Sequence, residues 1–420
     1  MKFKKFITVP MIALLASCGT QTGEQVSKRV IQRLPEDVVQ VEDDEKSQGL
    51  IDEFVKGVSR FTLEDALYSG HVGAELSASG KVTNFNLKEY AKLDATVLAG
   101  FKKYAQTEGE NPIDLYRGYI GLSDLDVKAS LQIPGVSQSG EGETPSLKVQ
   151  TVEVDLQDIS LSMYYYETAD AAKLYVNMSD TRIQDLVTTV ATAAGMSSMV
   201  DTILDSILGA KEEGQQYRPG KFYIDVTNVI DRYLKSKYEE GEIPAEYLDV
   251  IKHPFKFLND ALVDRITSAF TEEVIGKVVE TIENLKPAVG AKYDDQENLS
   301  KVSLVWNSTV KNAIKEIGGD SSVQLPVSGS FGLEISVGNE HGSKALALQE
   351  LLAKADIKGS VNNGTGRISV SGAVDVECEA YYGEQAVVPA FPDSDNFDNY
   401  VSNQFVEEFI LSKISNQTGE

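Results

Sequence analysis

Tryptophan, cysteine and histidine are nearly missing from this chain of 420 residues, which has one, two and three of them. Two cysteines cannot supply the cross-links that staple a small secreted domain. The histidines, His71, His253 and His341, stand far apart, and none has a second at the spacing that puts two imidazoles on one helix face, so zinc chemistry has no support. His71 falls on the polar side of an alternating pattern, and His341 lies in the polar loop "GNEHGS". No GxSxG, SxxK or P-loop occurs, and the glycines of "GTGRISVSG" lead into a strand pattern, where a dinucleotide site needs a helix. The run "DSDNFD" from Asp393 lacks the central glycine and distal glutamate of a calcium loop. The sequence therefore nominates no catalytic residue, metal or cofactor, and points to a non-catalytic protein.

Positive charge is scarce as well. Lysine and arginine number 39 against 64 acids, a formal net charge of −25. Such a surface repels phosphate backbones, which excludes nucleic acid as an expected partner. The acids are dispersed apart from short runs such as "VEDDEK" and "DDQEN", and solvation of exposed faces accounts for them.

Long apolar runs are absent beyond the N-terminus. The chain opens "MKFKKFITVPMIALLASCG", with Lys2, Lys4 and Lys5 ahead of an apolar stretch, Phe6 to Leu15, too short to span a bilayer. The order of basic, apolar and small residues is that of a secretory signal. Its end, Leu15-Ala16-Ser17-Cys18, resembles the lipobox of bacterial lipoproteins. That resemblance implies cleavage before Cys18, lipidation of its thiol, and an extracytoplasmic protein held on the membrane by acyl chains. Gly19 in place of an aspartate leans towards the outer membrane if the cell has one. Cys378, the other cysteine, sits among alternating apolar residues and reads as a small buried hydrophobe.

The expected organisation is a signal over residues 1–17, an acylated N-terminus and polar tether over 18–46, a β-rich segment with inserted helices over 47–291, and a second β segment with a C-terminal helix over 292–420. The last two are compatible with one continuous fold, and "KYDDQEN" from Lys292 is the best internal boundary.

Alternation of apolar residues predicts strands through Val72 to Ala78, Leu125 to Ile133, Phe331 to Val337, and a long hairpin from Ile357 to Tyr382 turning at "NNGTG". Between Val152 and Met163 the apolar set moves from even to odd positions. One strand keeps both sets on one face only by carrying an extra residue near Gln157-Asp158, a β-bulge.

Two octets share a pattern, "KLYVNMSD" from Lys173 and "KFYIDVTN" from Lys221. Each predicts a strand that delivers the chain to a helix, with Ser179 or Asp180 capping the first and Thr227 or Asn228 the second. One or two amphipathic helices are expected from Pro254 to Pro287. A last one, capped near Asp395, should use Phe397, Val401, Phe405 and Phe409.

These signals together imply an α+β fold, a curved antiparallel β-sheet resembling a half-barrel with amphipathic helices packed on one face. The lipobox, the bulged strand, the "ETADAAKLYVNM" arm and the helices after it give the chain an architecture similar to the LolA/LppX class of bacterial lipid-carrier lipoproteins. That resemblance implies an apolar cavity between sheet and helices.

Eighteen tyrosines, mostly on strand patterns, are the remaining signal. Tyr164, Tyr175, Tyr223 and Tyr381 are candidates for a ligand- or partner-binding surface, because tyrosine offers a large rigid contact with a polar tip. Two functions stay open: carriage of an apolar or lipid-like ligand between sheet and helices, or interaction with an envelope protein through the curved sheet and exposed tyrosines.

Overall fold

The computed structural model describes residues 33–82, 85–108, 111–137, 146–193, 196–208, 220–238, 243–269, 271–309, 327–362, 366–393 and 395–417. Cys18, the signal and most of the tether lie outside them.

The described residues form one curved, unclosed sheet of 13 strands with eight α-helices. In chain order these are β1 (Val39–Gln40), α1 (Asp44–Ser59), β2 (Ala66–Val82), β3 (Phe85–Glu108), β4 (Asn111–Ser137), β5 (Ser146–Glu167), β6 (Ala172–Asn177), α2 (Thr181–Ala193) and α3 (Val200–Leu208). Then come β7 (Lys221–Asp225), α4 (Val226–Lys237), α5 (Ala245–Lys252), α6 (Pro254–Ala269) and α7 (Glu272–Leu285). The chain ends with β8 (Ala288–Tyr293), β9 (Leu299–Thr309), β10 (Val327–Gly338), β11 (Ala347–Asn362), β12 (Arg367–Tyr382), β13 (Val401–Ser402) and α8 (Gln404–Gln417).

The strand order is β1-β8-β9-β10-β11-β12-β2-β3-β4-β5-β6-β7-β13. All neighbours are antiparallel except β13, which runs parallel to β7. The two edges are strands of two residues each, which leaves little unpaired backbone as a template for aggregation. The halves of the chain meet where β12 pairs with β2 from Tyr382↔Ala66 to Ile368↔Gly80. The polar run after Lys292 is a hairpin turn between β8 and β9, held by Asp294 accepting from the amides of Gln296 and Asn298 at 2.8 Å each.

The sheet bends where strands carry extra residues. Between Leu122 and Val127 of β4 and Ile159 and Leu156 of β5 the register shifts twice, once for an extra residue on each strand. Asp124 and Asp158 take the left-handed backbone (φ 51° and 56°), and the Asp158 amide donates to Asp126 Oδ1 at 2.8 Å. The bulge expected at Gln157-Asp158 is there, matched by a second one on β4. The expected long hairpin is β11–β12, with a second arm of 16 residues, and Cys378 on that arm is buried.

Several local expectations are corrected. Within the stretch read as a tether, Val39 and Gln40 pair with Ala291 and Gly290 as β1, and α1 begins at Asp44, capped by Asp43 accepting from Lys46 N. Leu50, Ile51, Phe54 and Val55 of α1 pack with Val279 of α7 onto Val289, Val302, Leu304 and Val337. The helix approaches so closely that a Cβ on Gly57 would meet the Val337 side chain at 2.9 Å. Asp180 caps α2 as expected, accepting from Arg182 N at 3.0 Å. The cap of α4 is Asp225, accepting from Asn228 N at 2.9 Å, while the Thr227 hydroxyl accepts from Ala172 N at 2.8 Å. The C-terminal helix starts only at Gln404, with Asn403 accepting from Val406 N. It packs through Val406, Ile410 and Leu411, leaving Phe405 and Phe409 exposed. Phe397 and Val401 belong to the preceding segment, Phe397 opening a 3-10 turn over Phe397–Asn399 and Val401 lying in β13.

Candidate binding surfaces on the two faces of the sheet

Side chains alternate across a strand, so paired residues share a face. Ile357, Gly372, Leu76, Ala91, Ala129 and Val154 pair in one row across six strands. On this face β2 from Gly70 to Gly80, β11 from Leu351 to Gly359 and β12 from Ile368 to Cys378 present only glycine and apolar side chains. Towards the ends of the strands nearest α1, α6 and α8 the same face is covered: by α1 at Leu304 and Val337, by Phe255 of α6 at Tyr116 and Tyr165, and by α8 at Val176 and Phe222.

Farther along the strands the apolar face is bare. Leu76 is 62% exposed, and Leu93, Leu131, Ile357, Val370 and Val374 on the same face are exposed as well. The bare area crosses five strands, about 20 Å, and its exposed residues run from Val370 to Val374 on β12, about 13 Å along the strands. Scattered exposed leucines are ordinary, but a contiguous apolar patch of this size on a folded protein marks a surface that meets something apolar.

The opposite face is polar and carries the tyrosines. Tyr381, Leu67, Gly100, Tyr119, Tyr164, Tyr175 and Tyr223 lie in one transverse row, each paired with the next. All four tyrosines singled out in the sequence are therefore brought onto one face in one register. The segment from Gly383 to Asn403 crosses over part of this row as a strap. Phe391, Phe397 and Tyr400 of the strap pack on Tyr175 with ring centroids 5.5, 4.8 and 5.4 Å away. Tyr164 and Tyr175 are buried beneath it, and burial foremost pushes the Tyr175 hydroxyl up to about 12. Tyr223 is half-buried, and Tyr381 stacks on His341 at 4.8 Å and donates to Glu379 at 2.5 Å.

The strap is fastened at both ends. The Gly383 amide donates to Asp65 O at 2.8 Å and Lys102 Nζ donates to Gly383 O at 2.6 Å. At the far end Lys221 forms an ion pair with Asp395, and the Tyr400 hydroxyl donates to Asp395 at 2.9 Å. Burial opposes ionisation of Asp395, but Lys221 and Tyr400 outweigh it and hold its carboxyl below the usual range.

Three cavities lined by described residues lie against the polar face. Two are open troughs of about 390 Å³ each, on the long strands. The third, about 300 Å³, lies under Val388–Phe391 of the strap and is walled by Tyr104, Leu115, Arg117, Tyr164 and Tyr166. Arg117 and Tyr104 were not singled out in the sequence. An arginine inside a strand pattern, directly before Gly118 in "LYRGYIG", was the available signal.

Two buried polar groups brace this architecture. Glu167, fully buried, accepts from Tyr165 Oη at 2.5 Å and from the amides of Tyr116 at 3.0 Å and Phe255 at 3.3 Å. It thus pins the first turn of α6 to β4 and β5, and burial holds its carboxyl above the usual range despite these donors. On the polar face His71 Nε2 lies 2.7 Å from Asp94 and Nδ1 3.4 Å from Asp375, which raises the imidazole to about 9, the Asp375 contact being the larger cause. Among the described residues no group of three or more His, Cys, Asp or Glu could hold a metal ion, and no helix is long and apolar enough to cross a membrane.

The arrangement defines a large two-faced sheet, apolar on one side and aromatic-polar on the other. No family model and no curated protein matches the chain. Among solved structures, it is similar to lipovitellin, in a structure describing its lipid-protein interactions, at 8% identity and a TM-score of 0.22, covering 80% of this chain and 27% of that one. It is also similar to OpdL of Pseudomonas aeruginosa at 7% identity and a TM-score of 0.12, covering 75% and 98% of the two chains. The transport unit of the autotransporter AIDA-I from Escherichia coli gives 9% and 0.11, covering 80% and 98%. Likeness at this level assigns neither family nor function.

Proposed function

We propose that this chain is a non-catalytic, membrane-tethered extracytoplasmic lipoprotein, acylated at Cys18, that carries a lipid-like ligand with its hydrocarbon laid against the apolar face and under the helices collected there. The observation that carries this reading is the bare apolar area around Leu76 and Val374, bounded at one end by helices. Removing on the order of 250 Å² of apolar surface from water stabilises the complex by roughly 6 kcal/mol before the cost of association is subtracted. The ligand's polar end meets water: β2, β11 and β12 carry no charged side chain on that face, and Glu89 of β3, at its border, accepts from the Gln132 amide at 3.1 Å. The "MIALLASC" order of the leader, Met11 to Cys18, supports the tether. Docking of an envelope protein through the tyrosines draws less support, because Tyr164 and Tyr175 are buried under the strap.

Native mass spectrometry of the chain from residue 18 with Cys18→Ser, purified from membrane-containing extract, is the test. A stoichiometric adduct extractable into organic solvent is expected. Leu76→Asp with Val374→Asp should abolish the adduct while leaving the circular dichroism spectrum unchanged, since both side chains are exposed. A protein free of adduct that also takes up nothing from phospholipid vesicles overturns the reading.

A further inference from the structure

We propose that the cavity under the strap is a second binding site, separate from the apolar face, for a small flat anion of the aromatic-carboxylate class. The site lies on the opposite side of the sheet and is built from Tyr104, Tyr164 and Tyr166 of the strands, Pro389 and Phe391 of the strap, and Arg117. Its volume of about 300 Å³ admits one substituted ring and stands at the lower end of ligand pockets in general.

The walls specify a flat body. Tyr164 and Phe391 meet nearly edge to face, 5.0 Å apart at 69°, and Tyr104 at the opening is half exposed. A planar ring entering between Tyr104 and Pro389 meets aromatic faces and edges, the arrangement in which offset and edge-to-face contacts form.

The charge specifies an anion. Arg117 is half-buried and sits over the Tyr166 ring at 3.4 Å. Its Nη1 donates to Tyr116 O at 3.1 Å and to the Glu167 carbonyl, both neutral groups. Among the described residues no carboxylate pairs with it, and none lines the cavity, in a chain where acids outnumber bases 64 to 39. An arginine left with neutral partners in so acidic a protein supplies a local positive charge that a carboxylate can neutralise at hydrogen-bond range. The Glu167 carboxylate is taken up on the other face of the sheet by Tyr165 Oη and the amides of Tyr116 and Phe255. The Tyr104 hydroxyl, which has no hydrogen bond among the described residues, is free to meet a polar substituent on the ring.

Isothermal titration of the signal-less protein with 4-hydroxybenzoate, its methyl ester and acetate tests the proposal. Saturable binding of the acid is expected, with the ester and acetate each weaker by at least about tenfold. Tyr104→Ala, at an exposed residue without hydrogen bonds, should weaken the acid by a similar factor in a fully folded protein. Arg117→Gln, which removes the charge, should abolish the preference for acid over ester. Absence of binding to all three probes overturns the site. Equal binding of acid and ester overturns the anion, equal binding of acetate overturns the flat body, and an unchanged affinity in Tyr104→Ala overturns the location.

Discussion

Tyr175 and Tyr223 lie directly opposite each other in the antiparallel pair β6–β7, with ring centroids 5.8 Å apart. They are the central residues of the two similar octets, so the octets are partners in the sheet: Lys173 faces Asp225 and Asn177 faces Lys221. The repeated pattern gives both strands a tyrosine on the strap side and apolar residues on the helix side.

This pairing predicts the cost of opening the strap. Tyr175→Ala removes a buried ring that touches Phe391, Phe397 and Tyr400, and should destabilise the protein by about 3 kcal/mol or more. A double-mutant cycle with Tyr223→Ala should return a coupling of about 1 kcal/mol. Urea unfolding measures both, and limited proteolysis should cut Tyr175→Ala between Val387 and Asn403 far faster than the parent. Equal cleavage rates would show that the aromatic row does not hold the strap.

Glu167 should be among the most sensitive polar residues. Glu167→Ala strands two amides and a tyrosine hydroxyl in a buried site and should cost about 3 kcal/mol or more, with Glu167→Gln costing less because an amide oxygen still accepts. A raised folded pKa means that the folded state holds the proton more tightly than the unfolded chain. The Glu167 contribution to stability therefore declines as pH rises from about 4.5 through that raised value. Comparing urea midpoints of parent and Glu167→Gln between pH 4 and 8 isolates that slope, which should be absent in the variant.

His71 sets a second pH window. Its imidazolium is favoured in the folded state, so the stability it contributes is full below about 6.5 and is lost as pH rises through about 9. His71→Gln should cost on the order of 1 to 2 kcal/mol at pH 6, allowing for solvent screening of the half-exposed aspartates, and close to nothing at pH 10. Thermal melts across that range check it, and a constant difference between parent and variant would rule out the Asp94–His71–Asp375 pairing as its source.

How much of this was legible depends on distance along the chain. The bulge at Asp158 was readable because a change of alternation within twelve residues has only one geometric cure. The strand-to-helix delivery of the two octets was readable for the same reason. The β3 strand was not anticipated: "NLKEYAKLDATVLAG" carries Lys88, Lys92 and Asp94 on the polar face, while Glu89 and small alanines on the other face weaken the apolar signal. The α1 helix was hidden by its acidic first turn, which looks like tether and is in fact favourable at a helix N-terminus.

By itself the sequence determined the α+β class, the two-faced strands, the Asp180 cap, the bulge at Asp158 and the absence of any recognisable catalytic motif, since each follows from chemistry within one or two turns of chain. Only the tertiary structure decided that β12 joins β2 to make one sheet, that four scattered tyrosines share one row, that a strap covers part of it, and that part of the apolar face is left bare. Pairing between strands 300 residues apart is chosen by the packing of whole faces, and which part of a face finds a helix depends on lengths that no local pattern records.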